Sequence, residues 1–534
     1  MSDNNWTFKL SLTNRLLYED IKNFLPKQVT GITFDSRLVQ PGNIFVCLQG
    51  TQFNGNDYID EAIDKGAILI VSDDDTQLNT EPLASNFIHN VPAIYQKNTR
   101  SSLSFLSDAF YHLKSDCKSD NLYTIGITGT DGKSSTAYII YAALRDLGVN
   151  AALISTLGIF IDGKEIINEN RKTRLTTPDP PELFQLIHQA KQCNSDVIIL
   201  EITSHALKFD KVSAVELDCA VFTSFSPDHQ EFHESEDDYF NAKAKIINLM
   251  RKYDSQASSQ LRPQKTGNLI LNADNKKIAD LSNAFNDNAL HINNASTVGF
   301  HQDATLKITK IEEHLFKTKY QINVYLSGQT KLMGDFNLMN IGMAYEAISI
   351  YSGEVRRSFS SEEILQAIET CSNIPGRLEQ IDGAPFNVIV DYAHTPDAFE
   401  KILSTLAKYI QGRLIVVFGC AGERSKDRRY GLGQLAAEHA NMSILTEEDS
   451  RSESIHDIVQ DIENQMKESG AIEGVNYKII FDRKEAIKFA LQYAVEDDFV
   501  LILGKGHEKS IESGGEIIPW DDREITKKLI EDLF

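Results

Sequence analysis

An α/β protein whose parallel sheets are covered on both faces is what this sequence predicts, and three observations carry that reading. Short runs rich in Val and Ile recur along the chain, most of them followed by Gly, Asp, Glu or Thr, as buried parallel strands read. Amphipathic stretches of helical length lie between them. A Gly-rich turn, Gly129 to Ser135, separates one such strand from one such helix.

Taken in chain order, the strand-like runs are Ala67–Val71, Tyr123–Ile127, Val197–Leu200, Cys219–Phe222, Asn268–Leu271, Asn387–Val390, Leu414–Phe418, Met442–Leu445 and Phe499–Leu503. The periodicity predicts helices over Thr99–Leu113, Ser135–Leu147, Pro180–Gln192 and Arg483–Ala494. The stretch Asp73–Asn98 is polar and reads as loop, and Arg251–Gly267 reads as a surface loop. At about 150 residues per domain, 534 residues predict three or four domains. Breaks near 114 and near 353–358 divide the chain into 1–113, 114–353 and 354–534.

Composition narrows the function. Lys and Arg number 53 against 76 Asp and Glu, a net charge of −23. So acidic a surface opposes a nucleic acid or an anionic membrane, because each phosphate would approach against the mean field. A local cluster of N–H groups and cations can still override that average for one small phosphate ligand. The 42% hydrophobic and 24% charged residues are those of a globular protein. Six Cys lie far apart with no C-x-x-C, which argues against structural zinc and a disulfide framework. Met1 to Lys9 is polar, without the apolar segment of a signal peptide, and no run reaches membrane-spanning length. A reduced, cytoplasmic, soluble chain is the expectation.

The turn Gly126-Ile-Thr-Gly-Thr-Asp-Gly-Lys-Ser-Ser135 carries the strongest local chemistry. Its small residues let backbone N–H groups converge, the helix start adds partial positive charge, Lys133 supplies a point charge, and Ser134 can ligate Mg²⁺. These features suit a triphosphate. The strict phosphate-loop pattern fails at one place, because Ile127 stands where its first Gly should be. Glu201 follows the apolar run Val197–Leu200, at a strand's carboxyl end, where a metal ligand belongs; a helix-capping Glu is the alternative.

The spelling Gly129-Thr130-Asp131-Gly132-Lys133-Ser134-Ser135 resembles the loop of the Mur ligases, ATP-dependent amide-forming enzymes of peptidoglycan precursor synthesis. Further segments match in the family's order: Asp35-Ser36-Arg37, Pro41 to Phe45, Leu175 to Asp179, Glu201 to Ala206, and Phe222-Thr223 with Asp228-His229. Gly334 to Asn337 with Asn340, Pro375 to Glu379, Asp391 to Ala398 and Gly504 to Glu508 complete the series. The likeness runs from about Gly31 to Arg523 and is strongest to the members that add the third residue of the stem peptide. It implies three α/β domains: an N-terminal UDP-binding domain, a central phosphate-loop domain with a doubly wound sheet, and a Rossmann-like C-terminal domain that binds the amino acid.

The resemblance also implies roles. ATP would be held by Gly129, Thr130, Asp131, Gly132, Lys133, Ser134, Ser135, Asn337, Arg377 and Asp391. Mg²⁺ would be held by Ser134, Glu201, His229 and Lys243, the last matching the family lysine that is carbamylated. Lys133, Glu201, His229, Lys243 and Arg377 would carry catalysis. Ser36, Thr51, Gln52, Phe53, Thr176, Thr177, Thr203 and Lys211 would hold the UDP-N-acetylmuramoyl-dipeptide, although Phe209 and Lys211 replace Gln and Arg of some relatives. The implied reaction phosphorylates a carboxylate with ATP, and the incoming amine then attacks the acyl phosphate directly. Cations should therefore crowd the site, and closure around it would exclude water.

Arg424, Glu448, Asp449, Ser450, Arg451, Gly504 and Glu508 match the positions that grip the added amino acid. The family's diaminopimelate-specific members read Asp-Asn-Pro-Arg where this chain reads Glu448-Asp449-Ser450-Arg451. Arg451 can take the distal carboxylate of meso-diaminopimelate in a bidentate contact. Asp449 replaces a neutral donor and would repel that carboxylate while favouring the ammonium of L-lysine. The expectation leans to meso-diaminopimelate, with L-lysine as the alternative and a nucleotide-binding regulator without ligase activity as the reading from another class. A monomer is expected.

Overall fold

The computed structural model describes residues 29–50, 53–74, 76, 86–113, 122–166, 175–226, 233–251, 267–282, 294–355 and 357–534. The chain divides into two compact units, one of residues 1–307 with 343–360 and one of residues 308–342 with 361–534. The break expected near 114 opens a stretch, 114–121, outside the described residues. The break expected near 353 falls in the last turn of the helix Asp335–Glu354.

The first unit begins with a five-stranded sheet in the order Gly31–Thr33, Asn43–Val46, Leu69–Ser72, Val91–Tyr95, Asn86–Ile88. Alternation along its strands feeds two cores. Ile44, Val46, Leu69 and Val71 pack against Leu103, Leu106 and Ala109 of the helix Thr99–Leu113. Phe45, Cys47 and Ile70 turn the other way, onto Ile59 and Ala62. The stretch 73–98 is thus no simple loop: Asn86–Ile88 and Val91–Tyr95 pair antiparallel through a turn at His89 and Asn90, both at positive φ (46° and 67°). Neither residue is a Gly and Pro92 sits in the second strand, so the usual hairpin spelling is missing from the sequence.

The unit's larger sheet runs Asn294–Gly299, Asn268–Asn272, Cys219–Phe222, Tyr123–Thr128, Val197–Glu201, Ala151–Ser155, all parallel, and closes with antiparallel Gly158–Ile161 and Lys164–Glu165. Every residue of the central strand Tyr123–Thr128 is buried, as a strand covered on both faces requires. Its neighbours are Val197–Glu201 and Cys219–Phe222, so the turn after Thr128 lies between the carboxyl ends of those two strands.

In the second unit a six-stranded sheet has the order Glu379–Gln380, Asn387–Asp391, Phe499–Leu503, Leu414–Phe418, Met442–Leu445, Tyr477–Ile479. It is parallel except at Glu379–Gln380. Two apolar cores cover its faces, one on Phe399, Leu432 and Ile462, the other on Ile487, Leu491 and Leu529. Residues 308–314, Lys317–Ile322 and Leu326–Thr330 form an antiparallel meander, and Ser510–Ser513 pairs with Glu516–Pro519 in a hairpin.

Candidate active site

The helix Lys133–Asp146 is capped by Gly132 at φ 82°, a left-handed conformation natural to glycine, and its first turn has no side-chain cap. The first N–H groups are therefore left for an anion. Gly129 is equally constrained: a Cβ there would come within 2.0 Å of Thr223 Oγ1. Around the turn the neighbouring strand ends bind the backbone. Thr130 N donates to Ser224 O at 2.8 Å, Thr223 Oγ1 to Asp131 O at 2.6 Å, and Asp131 N to Ser224 Oγ at 2.8 Å. Lys133 folds back, its Nζ 2.7 Å from Thr130 O, and Ser135 is buried beside it in the first turn.

Glu201 is only 2% exposed and sits where its strand ends. Ser134 Oγ donates to its Oε1 at 2.8 Å, and Thr156 N and Oγ1 donate to its Oε2 at 2.9 and 3.1 Å. Thr156 Oγ1, its one proton on Glu201, lies 2.9 Å from Thr176 Oγ1, and Thr177 Oγ1 donates to Glu201 O at 2.9 Å. Thr203 N in turn donates to Thr177 Oγ1 at 3.1 Å. Ser134, Thr156, Thr176, Thr177, Glu201 and Thr203 therefore come together in one network, and Lys133 stands next to it in sequence, bound to Thr130 O. A buried carboxylate beside an uncapped helix start and a serine hydroxyl is a donor set that fits a Mg²⁺-nucleotide.

Lys243, 1% exposed, donates from Nζ to Gly129 O at 2.6 Å and lies 4.4 Å from the centroid of the Tyr239 ring. It thus belongs to the phosphate loop's surroundings. His229, expected as a metal ligand, lies outside the described residues. Among the described residues no group of three His, Cys, Asp or Glu side chains is placed to hold a metal.

A cleft of ≈ 670 Å³ opens in the same unit, lined by Phe34, Ser36, Phe53, Tyr58, Arg100 and Lys211 among others. Ser36 Oγ donates to Glu61 Oε2 at 2.8 Å, and Lys211 Nζ pairs with Asp179 at 2.6 Å. Phe209 presents its ring to the Arg100 guanidinium, 4.8 Å from the centroid. Burial lowers the His205 imidazole to about 4, so it is neutral in this wall. Of the predicted dipeptide-binding residues, Ser36, Phe53 and Lys211 meet here, whereas the three threonines group around Glu201. Thr51 and Gln52 lie outside the described residues.

In the second unit the turn at Gly376 is fixed by crowding, since a Cβ would come within 2.1 Å of His507 N. Next to it the Arg377 guanidinium lies 4.5 Å from the centroid of Tyr392, and its Nε is buried without a hydrogen-bond partner among the described residues. Asp391 is buried and accepts from Leu378 N and Ala393 N, both at 2.6 Å; burial raises its pKa, against the pull of Arg377. Asn337 donates to Met333 O at 2.8 Å and accepts from Asn340 at 3.2 Å.

The loops after Met442–Leu445 and Phe499–Leu503 bring the predicted amino-acid residues together. Both oxygens of Asp449 accept from Lys505 Nζ at 2.8 Å, and Oδ1 also accepts from Glu512 N at 2.8 Å. Lys505 reaches Glu508 as well, at 2.5 Å. Asp449 is therefore an anchored, charge-compensated group that ties the loop to the hairpin Ser510–Pro519. Arg451, at φ 54°, lies between Glu423 and Glu512, each 3.9 Å away, and its Nε is buried without a hydrogen-bond partner among the described residues. Ser450 Oγ donates to Glu447 at 2.8 Å. Glu448 is raised to about 7, chiefly by burial, and Gly504 lies so close that a Cβ would meet its Oε2 at 2.4 Å. The His394 imidazole is lowered to about 4, chiefly by burial, with Arg428, Arg377 and Arg424 adding to the effect. Sequence reading missed Arg100 and Thr156, which follow no motif, and the buried Arg483.

Comparison with known proteins shows the family and the fold. Three family profiles match: "Mur ligase family, catalytic domain" over residues 28–106, "Mur ligase middle domain" over 127–348 and "Mur ligase, glutamate ligase domain" over 376–506. A relative from Bacillus velezensis, named UDP-N-acetylmuramoyl-L-alanyl-D-glutamate--2,6-diaminopimelate ligase, is 33% identical and covers 98% of this chain and 99% of its own. One of the same name from Aquifex aeolicus is 31% identical over 96% of each chain. A solved structure of a ligase of that name is 25% identical, with TM-score 0.62, covering 94% of this chain and 95% of its own. A Thermotoga maritima MurF ligase in complex with ADP, 16% identical with TM-score 0.55 over 94% and 96%, shares the fold.

Proposed function

The chain belongs to the Mur ligase family, and on that footing we propose that it joins meso-diaminopimelate to UDP-N-acetylmuramoyl-L-alanyl-D-glutamate, consuming ATP and releasing ADP and phosphate. The observation that carries this reading is the buried Glu201 carboxylate hydrogen-bonded to Ser134 at the open end of the phosphate loop. Ser134 and Glu201, with His229 and a carbamylated Lys243, would hold Mg²⁺, which when bound screens the repulsion between the substrate carboxylate and the γ-phosphate.

The chain's own groups do the rest. Gly129 to Ser135 offer N–H donors to the phosphates, and Lys133 leaves its carbonyl partner to meet them. Asn337, Arg377 and Asp391 complete the nucleotide's ligands. Ser36, Thr51, Gln52 and Phe53 hold the UDP part, and Lys211 pairs with an anionic group of the substrate. Thr176, Thr177 and Thr203 orient the dipeptide. Once its carboxylate is phosphorylated, the amine of the diamino acid attacks that carbon and phosphate leaves, so no enzyme nucleophile is needed.

Arg451 supports diaminopimelate, because its guanidinium is held only by loose ion pairs to Glu423 and Glu512, at 3.9 Å each, and can turn to a distal carboxylate. The feature that favoured L-lysine weakens, because Lys505 and the Glu512 N–H already compensate the Asp449 charge. Arg424, Glu448, Ser450, Gly504 and Glu508 complete this pocket. The enzyme acts as a cytoplasmic monomer, where ATP and nucleotide-sugars are available; among the described residues no helix is long and apolar enough to cross a membrane. Phosphate release with the UDP-dipeptide and either meso-diaminopimelate, L-lysine or L-ornithine tests the reading. Release that depends on diaminopimelate supports it, and equal release with none of the three contradicts it.

A further inference from the structure

We propose that Arg483 is a positioning residue for amino-acid binding: its guanidinium brackets the two loops that carry the amino-acid ligands and fixes the gap between them. The inference rests on the assignment of those loops made above. Arg483 opens the helix Arg483–Tyr493 and is only 2% exposed. Its Nε and Nη2 grip Asp522 in a fork, at 2.8 and 2.6 Å, and Asp522, fully buried, also accepts from Trp520 Nε1 at 2.8 Å. The remaining donors reach two main-chain carbonyls, Nη1 to Glu447 O at 3.0 Å and Nη2 to Leu503 O at 2.8 Å.

Those two carbonyls give the arginine its role. Glu447 stands directly before Glu448–Arg451, and Leu503 directly before Gly504–Glu508. Their strands, Met442–Leu445 and Phe499–Leu503, are not neighbours, because Leu414–Phe418 runs between them. The sheet spaces them only through Leu414–Phe418, whose pairing ends at Leu445 and Ile502, so direct links between the loops beyond must come from side chains. The Arg483 guanidinium supplies the main-chain link at their roots, and the Lys505–Asp449 pair joins them further along. Only a planar fork can satisfy Asp522 and both carbonyls together; a lysine ammonium is a single point and cannot. A buried ion pair kept for stability alone could be replaced by apolar groups with little loss, but these carbonyls would then be unsatisfied.

The test is Arg483→Lys in the full-length enzyme, with KM measured separately for meso-diaminopimelate, ATP and the UDP-dipeptide. We expect KM for diaminopimelate to rise about tenfold or more while kcat and the other two KM values stay within about twofold. An unchanged diaminopimelate KM, or a parallel rise in all three, overturns the proposal. Should Arg483→Lys fail to fold, Trp520→Phe decides, because it loosens only Asp522. A rise of about two- to fivefold confined to diaminopimelate supports the bracket, and no rise overturns it. Arg451→Ala separates the two levels. If it leaves the diaminopimelate KM unchanged, the loop assignment itself fails; if it raises that KM and Arg483→Lys does not, only the bracket fails.

Discussion

Single side chains decide most of this site. Lys133→Ala should leave the fold intact and lower kcat by about 10²–10³, the usual loss when a cation or donor facing developing charge is removed. Circular dichroism with steady-state kinetics checks both halves, and near-wild-type turnover would take the loop out of the mechanism. Arg451→Ala removes charge-assisted bonds of about 1.5–3 kcal/mol, so kcat/KM for diaminopimelate should fall about 10- to 100-fold and that for L-lysine far less; equal losses would remove Arg451 from selectivity. Glu448 keeps its proton up to about 7 because it is buried, with Lys505 and Arg483 opposing the rise and Asp449 and Glu508 adding to it. As pH climbs through that region the group ionises and can accept from an ammonium, so KM for the diamino acid should fall. Glu448→Gln should abolish that inflection, and an inflection that persists belongs to another group. At this scale the phosphate loop, Glu201 and Arg451 were legible, because each stands in a local motif. The compensation of Asp449 was not, since its partner Lys505 lies 56 residues away and only the fold brings them together.

Elements were read best where burial on both faces leaves a continuous apolar run. Val197–Leu200 and Leu414–Phe418 became the strands Val197–Glu201 and Leu414–Phe418, and Pro180–Gln192 became a helix with those same bounds. Antiparallel pieces with one wet face escaped, among them Lys317–Ile322, whose residues alternate between exposed or half-buried and buried. The hairpin at His89 and Asn90 escaped because its turn lacks glycine. Its strain gives a test: Asn90→Val places a β-branched residue at φ 67° and should cost about 1–2 kcal/mol in denaturant unfolding. The KM values should not change; an unaltered unfolding midpoint would mean that the turn relaxes.

At the scale of the whole molecule, ten motif blocks spread over most of the chain made the family legible, while the division into three stretches rested on breaks in pattern alone. Contacts group the chain into two units, the helix Asp335–Glu354 giving residues to both, while three family profiles match along it. Against a −23 net charge, an anion depends on local donors such as the N–H groups at the start of the helix Lys133–Asp146. The proposed reaction has the acid activated by phosphoryl transfer before the amine arrives. Isotope transfer reads that step: the UDP-dipeptide is labelled with ¹⁸O in its terminal D-glutamate carboxylate and turned over with ATP and meso-diaminopimelate. One labelled oxygen should appear in each phosphate released. Unlabelled phosphate accompanying tripeptide formation would contradict an acyl-phosphate route.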